Sequence, residues 1–321
     1  MYKYIILIVF FIYYLIIKLY NKKKSSPFPI DVVYTWAGEK QSINDRLSNN
    51  DELKYSLRSI FQYMPWINHI YILMNPPKKK PSWFNEKYKK KITIIDHYDT
   101  YFDKQYLPTT NSHSIETTLH NIPNLSEHFI YFNDDFFIGK PLSYLDFFTP
   151  DGKIVYCENN LNNCKNLQIK NKEKKINFKL PIHCGLSYHL PFPNKKNIIK
   201  KFNNTYPDYI HWIRSIKKRK NDGNDICSIN NLKDWCQQQH SPIMKYAKDN
   251  DNAVSKKILD SDIKFYYNGN INELQNLYSN PPKFFCINDT DNFKNLDDKN
   301  KYYNFVNNIL EKFYKKHLFE Y

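Results

Sequence analysis

Hydrophobic and polar positions along the chain fall into segments of different period. PIDVVYTW, Pro29 to Trp36, holds a run of β-branched and aromatic residues and reads as a buried first strand. HIYILMN (His69 to Asn75), KITIID (Lys91 to Asp96) and HFIYFNDD (His128 to Asp135) read the same way. Between the first two, DELKYSLRSIFQYM sets Leu53, Leu57, Ile60, Phe61 and Met64 at helical spacing. Asp51 and Glu52 stand in its first turn, where they suit the positive end of the helix dipole. NSHSIETTLHNI, from Asn111, predicts another helix, capped by Asn111 or Ser112. Strands alternating with helices over the first 150 residues predict an α/β fold with a mostly parallel sheet.

Beyond residue 150 the pattern changes. Residues 158–180 are rich in Asn and Lys and poor in apolar side chains, which predicts a mobile surface insertion. From Asn194 onward the pattern is mainly helical, through KKNIIKKFNNTYPDYIHWI and LKDWCQQQ, with a short strand at KFFCIN. The closing segment, KYYNFVNNILEKFYKKHLF, places Phe305, Ile309, Leu310 and Phe313 on one helical face. At the other end, Tyr4 to Ile17 is uninterrupted by polar residues, and Leu19 and Tyr20 extend it past Lys18. A helix needs about 20 residues to cross a bilayer, and no small-residue cleavage site follows, so residues 1–20 predict an uncleaved, single-pass membrane anchor. NKKKSSPF (21–28) then reads as a linker, and 29–321 as one body with a core at 29–150 and a helical closing part at 181–321.

Composition narrows the function classes. With 41% hydrophobic and 17% aromatic residues, the chain is outside the disordered range. The net charge of +15 fits phosphorylated or polyanionic partners, or simply lysine as the common surface residue of an AT-rich coding sequence. No recognised nucleic-acid motif accompanies the spread-out lysines, so no nucleic-acid partner is expected. Six cysteines without a C-x-x-C pair give no zinc motif, and leave disulfides or free thiols open.

Four constellations carry chemistry. Asn133-Asp134-Asp135 ends an apolar strand, where ligands of open α/β sheets bind. Two carboxylates there suit a divalent cation on a diphosphate, or else an Asp-Asp turn. Ser112, His113, Glu116 and His120 lie near one helical face, as metal ligands, bases, donors to hydroxyls or structural polars. His189, before Pro191, is a candidate general base. Cys286-Ile287-Asn288-Asp289 follows the short strand.

Taken together these segments resemble the four blocks of the Stealth family of sugar-phosphate transferases. That family includes capsular-polysaccharide hexose-1-phosphate transferases and the catalytic subunit of the lysosomal-enzyme N-acetylglucosamine-1-phosphotransferase. IDVVYTW resembles the first block. The second and most specific runs from Asn50 to Pro141 and holds NDELKYSLRSI, PWINHIYILMN and LPTTNSHSIETTLHNIPNLSEHFIYFNDDFFIGKP. The third opens at His189-Leu190-Pro191, and the fourth is FFCINDTDN.

The resemblance implies a Rossmann-like core. It implies transfer of a sugar-1-phosphate from a nucleotide-sugar, a UDP-linked hexose or N-acetylhexosamine, to a glycan or glycoprotein hydroxyl. Mg²⁺ or Mn²⁺ is the implied cofactor, with Asp134, Asp135 and Asp289 as metal residues. His189, Asp135 and Glu116 take catalytic roles, and Arg58, Asn133, His120, Ser112 and Asn288 bind substrate. Two departures stand out: Ala37-Gly38-Glu39 follows Trp36 where the family carries an acidic or amide residue and then glycine, and the third block's arginine falls to Arg214 or Arg219. Lys22 to Lys24 favour a cytosolic body, whereas eukaryotic members of the family in the secretory pathway face the lumen. A metal-dependent glycosyltransferase, or a non-catalytic membrane-tethered binder of anionic glycans, is the alternative.

Overall fold

The computed structural model describes residues 25–39, 49–158, 167–171, 176–180, 190–217, 240–267, 270–288, 293 and 295–321. Four parallel strands form its centre: β1 (Ile30–Trp36), β2 (Ile70–Met74), β3 (Ile92–Asp96) and β4 (His128–Asn133). They lie in the order β3-β2-β1-β4, and a fifth strand, β9 (Phe192–Lys195), runs antiparallel beside β4. Every residue of β2, and all of β1 except Thr35, is buried, as expected of a sheet covered on both faces. The chain steps outward from β1 to β3 and then returns to β4 on the other side of β1. That reversal makes the carboxyl ends of β1 and β4 the topological switch point, where open α/β sheets bind ligands.

Helix α1 (Glu52–Tyr63) follows β1 and turns Leu53, Leu57 and Ile60 into the core. The predicted second helix is shorter than its pattern suggested. α3 (Ser112–Glu116) follows the four-residue α2 (His97–Thr100), and its chain continues as a 3₁₀ turn at Leu119–Asn121. Asn111 caps α3 by accepting the His113 N–H at 3.1 Å. Thr117 and Thr118 end it by bonding back to the carbonyls of Ser114 and Ile115, a local competition that shortens helices.

The second half is less helical than expected. α4 (Lys196–Thr205), α5 (Pro207–Ser215), α6 (His240–Asp251) and α7 (Leu296–Phe313) are present. Strands also appear: β6 (Val155–Glu158) pairs β10 (Val254–Lys257), and β11 (Ile263–Tyr266) pairs β12 (Phe284–Ile287). β12 in turn pairs antiparallel with β5 (Phe136–Ile138), the strand that follows the acidic pair. Within the expected insertion, β7 (Leu167–Asn171) and β8 (Ile176–Leu180) form an antiparallel hairpin. LKDWCQQQ lies outside the described residues.

The expectation of a membrane-spanning helix is not met among the described residues. Among the described residues no helix is long and apolar enough to cross a membrane. The longest, α7, carries Asp297, Asp298, Lys299, Lys301, Glu311 and Lys312, which no bilayer core would accept. The segment 1–20, from which the anchor was read, lies outside the described residues. Cys157 and Cys286 are free thiols, both pushed upward by burial, Cys157 to about 11. The other four cysteines lie outside the described residues.

Arg58 corrects another expectation. It is 2% exposed, and its guanidinium grips Glu320 with two bonds, Nε to Oε1 at 2.7 Å and Nη2 to Oε2 at 2.6 Å. Nη1 donates to Glu311 at 2.8 Å. The side chain therefore fastens the C-terminal segment to α1, its guanidinium taken up by these two carboxylates. Removing one partner of a buried pair strands the other's charge. Arg58→Ala is expected to lower unfolding free energy by about 3–5 kcal/mol in urea titration. The double variant with Glu320→Ala is expected to lose less stability in total than the sum of the two single changes.

Candidate active site

The carboxyl ends of β1 and β4 bring polar side chains together at one edge of the sheet. Thr35 and Asn133 are register partners there, and Asp134-Asp135 form the turn between β4 and β5. Serines of α1 fix that turn. Ser56 Oγ donates to the Phe136 carbonyl, so the Tyr34 hydroxyl, 2.7 Å away, must donate to Ser56. Ser59 Oγ accepts the Ile138 N–H at 3.2 Å. On the other side, Ile287 N–H donates to the Asp135 carbonyl at 3.2 Å, and Cys286 Sγ donates to Asp135 Oδ2 at 3.2 Å. β5 ends at Gly139, where an added Cβ would fall 2.3 Å from the Pro282 carbonyl, so the approach to β12 requires glycine. The acidic pair is thus held between α1 and β12.

Asp134, Asp135 and Glu52 crowd together here. Burial, and secondarily the charge of Asp135, pushes Asp134 up to about 7. Glu52, at the amino end of α1, is pushed up to about 8, by burial first and then by Asp134. Both keep part of their surface open to solvent yet lie deep among protein atoms, so their charges are poorly screened. Asn50 supports Glu52 by donating its backbone N–H at 2.6 Å and its Nδ2 at 2.8 Å.

A hydrogen-bonded chain adjoins them. Tyr131 donates to Asn133 Oδ1 at 2.7 Å, with Glu116 Oε1 a second acceptor at 3.3 Å. The phenol has one hydrogen, so Thr35 Oγ1, at 2.8 Å, is the donor to it. Burial first, and then the charge of Glu116, raises the Tyr131 phenol well above its ordinary value and keeps it protonated. Glu116, Asn133 and Thr35 are thereby tied to one another through a single hydroxyl.

The arrangement coincides with a family signature. Residues 46–156 match the model described as Stealth protein CR2, conserved region 2. A capsular polysaccharide phosphotransferase of Haemophilus influenzae is 31% identical over 90% of this chain and 86% of its own length. The chain belongs to the Stealth family. A second such phosphotransferase, from Actinobacillus pleuropneumoniae, is 33% identical over 81% of this chain and 72% of its own. One from Neisseria meningitidis is 46% identical over 148 residues, and the matched part spans 40% of that relative's length.

Of the Stealth residues expected at the site, Asn133, Asp134, Asp135 and Glu116 come together at this edge. Asn288 follows β12 one residue beyond Ile287, whose N–H reaches Asp135. Ser112 opens α3, four residues before Glu116. His120 faces away, into a cleft beside Lys196, Lys200 and Arg214. His189, Asp289 and Arg219 lie outside the described residues. Glu52 and Tyr131 were missed as site residues. Glu52 was read only as a dipole partner, although it stands inside the NDELKYSLRSI block, and Tyr131 looked like one more apolar strand residue.

Among the described residues no three His, Cys, Asp or Glu side chains form a metal cluster. Mg²⁺, however, is commonly held by one or two carboxylates plus substrate phosphates, so two adjacent aspartates fit it without a protein cage.

The raised carboxyls have a thermodynamic consequence. Asp134 and Glu52, with ordinary values of 3.8 and 4.5, hold their protons more tightly folded than unfolded. Between about pH 4 and pH 8 the folded chain therefore binds more protons, and stability falls as pH rises through that window. In EDTA at pH 8, Asp134→Asn is expected to melt at a higher temperature than wild type, and at pH 4 at the same temperature. Calorimetry at both values checks this.

Proposed function

We propose that this protein transfers a sugar-1-phosphate from a UDP-linked hexose or N-acetylhexosamine to a hydroxyl of a glycan, forming a phosphodiester. The observation that carries the reading is the Asp134-Asp135 pair at the switch point of the sheet, with Glu52 and Glu116 beside it. The relatives' activity as capsular polysaccharide phosphotransferases supports the same class.

The reaction joins the acceptor oxygen to the phosphorus nearest the sugar and breaks that phosphorus from the bridging oxygen of the diphosphate. The leaving group is the nucleoside monophosphate, and the hydroxyl's proton passes to a base. Transfer of this kind depends on positioning and on neutralising phosphate charge. Mg²⁺ or Mn²⁺ on Asp134 and Asp135 would supply that neutralisation, the pair's mutual repulsion being what a cation relieves. Asn133 and Glu116, fixed through Tyr131, present polar groups to the sugar. His189 is assigned as the base on its family block alone.

The test is ³¹P NMR of purified protein with UDP-N-acetylglucosamine, divalent cation and a panel of sugar acceptors. The expected products are UMP and a phosphodiester resonance. Release of UDP with a glycoside would replace this reading with a glycosyltransferase. Asp134→Asn and Asp135→Asn are expected to lower kcat at least about 100-fold, the scale of lost electrostatic stabilisation. Tyr131→Phe removes only the hydroxyl that orders Asn133 and Glu116, and is expected to cost about tenfold in kcat/KM, near the 1.4 kcal/mol of one hydrogen bond.

A further inference from the structure

A second concave surface lies apart from the acidic edge. It is an open cleft of about 770 Å³ between the 3₁₀ turn after α3 and the helices α4 and α5. It reaches Glu127, just before β4, whereas Asn133 ends that strand about 20 Å further along at 3.3 Å per residue. None of Glu52, Asp134 or Asp135 lines it.

Its charge is one-sided. Lys196, Lys200 and Arg214 line it, against a single lining carboxylate, Glu127. Glu127 is already engaged at the start of α4, accepting the Asn197 N–H at 3.2 Å. Arg214 is held in place by two bonds to Thr117, Nε to Oγ1 at 2.8 Å and Nη2 to the carbonyl at 3.1 Å. Among the described residues neither Arg214 nor Lys200 forms an ion pair; Asp103 acts on Arg214 only through its field. A partly buried guanidinium held rigidly and left without a carboxylate is pre-organised to receive an anion.

Two acceptors lie just beneath the cleft wall. His120 Nδ1 and Asn203 Oδ1 are buried and have no hydrogen-bond partner among the described residues. Burial, followed by the positive fields of Arg214, Lys196 and Lys200, pushes His120 down to about 4, so it is neutral at pH 7 and one ring nitrogen can accept. Phe102, 82% exposed, stands on the rim as a flat apolar platform. Cations for phosphates, acceptors for hydroxyls and an exposed ring form a mixed set that neither free phosphate nor a neutral sugar alone would use fully.

We propose that this cleft is a second ligand site, holding the phosphate-bearing stretch of an anionic sugar chain while the chain's end is at the acidic edge. The proposal rests in part on the transferase reading, which supplies such a chain as product. Only Thr117, Thr118 and Leu119 separate Glu116 at that edge from His120 in the cleft, so one short segment joins the two sites.

The probe is a synthetic oligomer of hexose units joined by phosphodiesters, titrated calorimetrically into the full chain. The same oligomer without phosphate is the comparison. Lys200→Glu reverses a charge on an exposed position of α4, and Lys201→Glu does the same on that helix outside the cleft lining. The expected result is binding of the phosphorylated oligomer alone, weakened about tenfold by Lys200→Glu and little by Lys201→Glu, and weakened further by raised salt. His120→Ala and Asn203→Ala provide a second readout that leaves charge unchanged, each expected to weaken binding severalfold. Equal effects of the two lysine variants, equal affinity for the neutral oligomer, or no binding to wild type would overturn the proposal. Loss of binding in Asp134→Asn with none in Lys200→Glu would place the chain at the acidic edge and overturn it as well. The titration needs no turnover, so failure of the transferase reading leaves its outcome readable.

Discussion

Crowding of carboxyl groups is the constraint on which the rest of the site depends. Asp134 and Asp135 are adjacent in a turn at the carboxyl edge of the sheet, and Glu52 is brought to them by the amino end of α1. Burial first, and then mutual repulsion, makes such groups resist ionisation and shifts Asp134 and Glu52 upward. The fold tolerates this because the backbone around the pair is over-determined. Ser56 and Ser59 hold β5 from one side, and Cys286 and Ile287 hold Asp135 from the other. Stability is thus drawn from the surrounding scaffold to keep negative charge where a cationic, phosphate-bearing complex would relieve it.

The distant parts of the chain serve that scaffold. Arg58 lies between Ser56 and Ser59 in the sequence of α1 and fastens Glu311 and Glu320. Its bonds reach across 253 and 262 positions of sequence, so the C-terminal segment braces the helix that positions the acidic turn. Tyr314 adds to the brace, its hydroxyl donating to the Ile138 carbonyl at 2.8 Å. Two hydrophobic clusters meet along this line, one around the parallel sheet and one around β12 and α7. The acidic turn sits where they join, since Phe136 packs in the first cluster and Phe137 in the second.

Much of this was legible in the sequence where burial is complete. Continuous apolar runs marked β1 to β4 within a residue or two, because a parallel sheet covered on both faces leaves little room for polar side chains. Asn133-Asp134-Asp135 stood out because charge at the end of such a run is expensive without a purpose. The short strands β9 and β10, FPNK and VSKK, were not legible: four residues, polar and edge-paired, carry no period. Arg58 misled because its position in the family block suggested substrate, while its actual partners lie in the last eleven residues. Glu52 was hidden by a simpler explanation, its value to the helix dipole. The separation of His120 from Glu116 depends on the early end of α3, which two threonine hydroxyls set and no hydrophobic pattern reports.

The most direct test of this account follows the side-chain carboxyl carbons of Asp134 and Glu52 by ¹³C NMR as pH is varied. The metal-free protein is expected to show midpoints near 7 and 8, and both should move well down when Mg²⁺ and UDP are added together. Ordinary carboxylate midpoints in the metal-free protein, or midpoints indifferent to Mg²⁺ and UDP, would contradict the claim that this acidic edge is built for a cation-bound diphosphate.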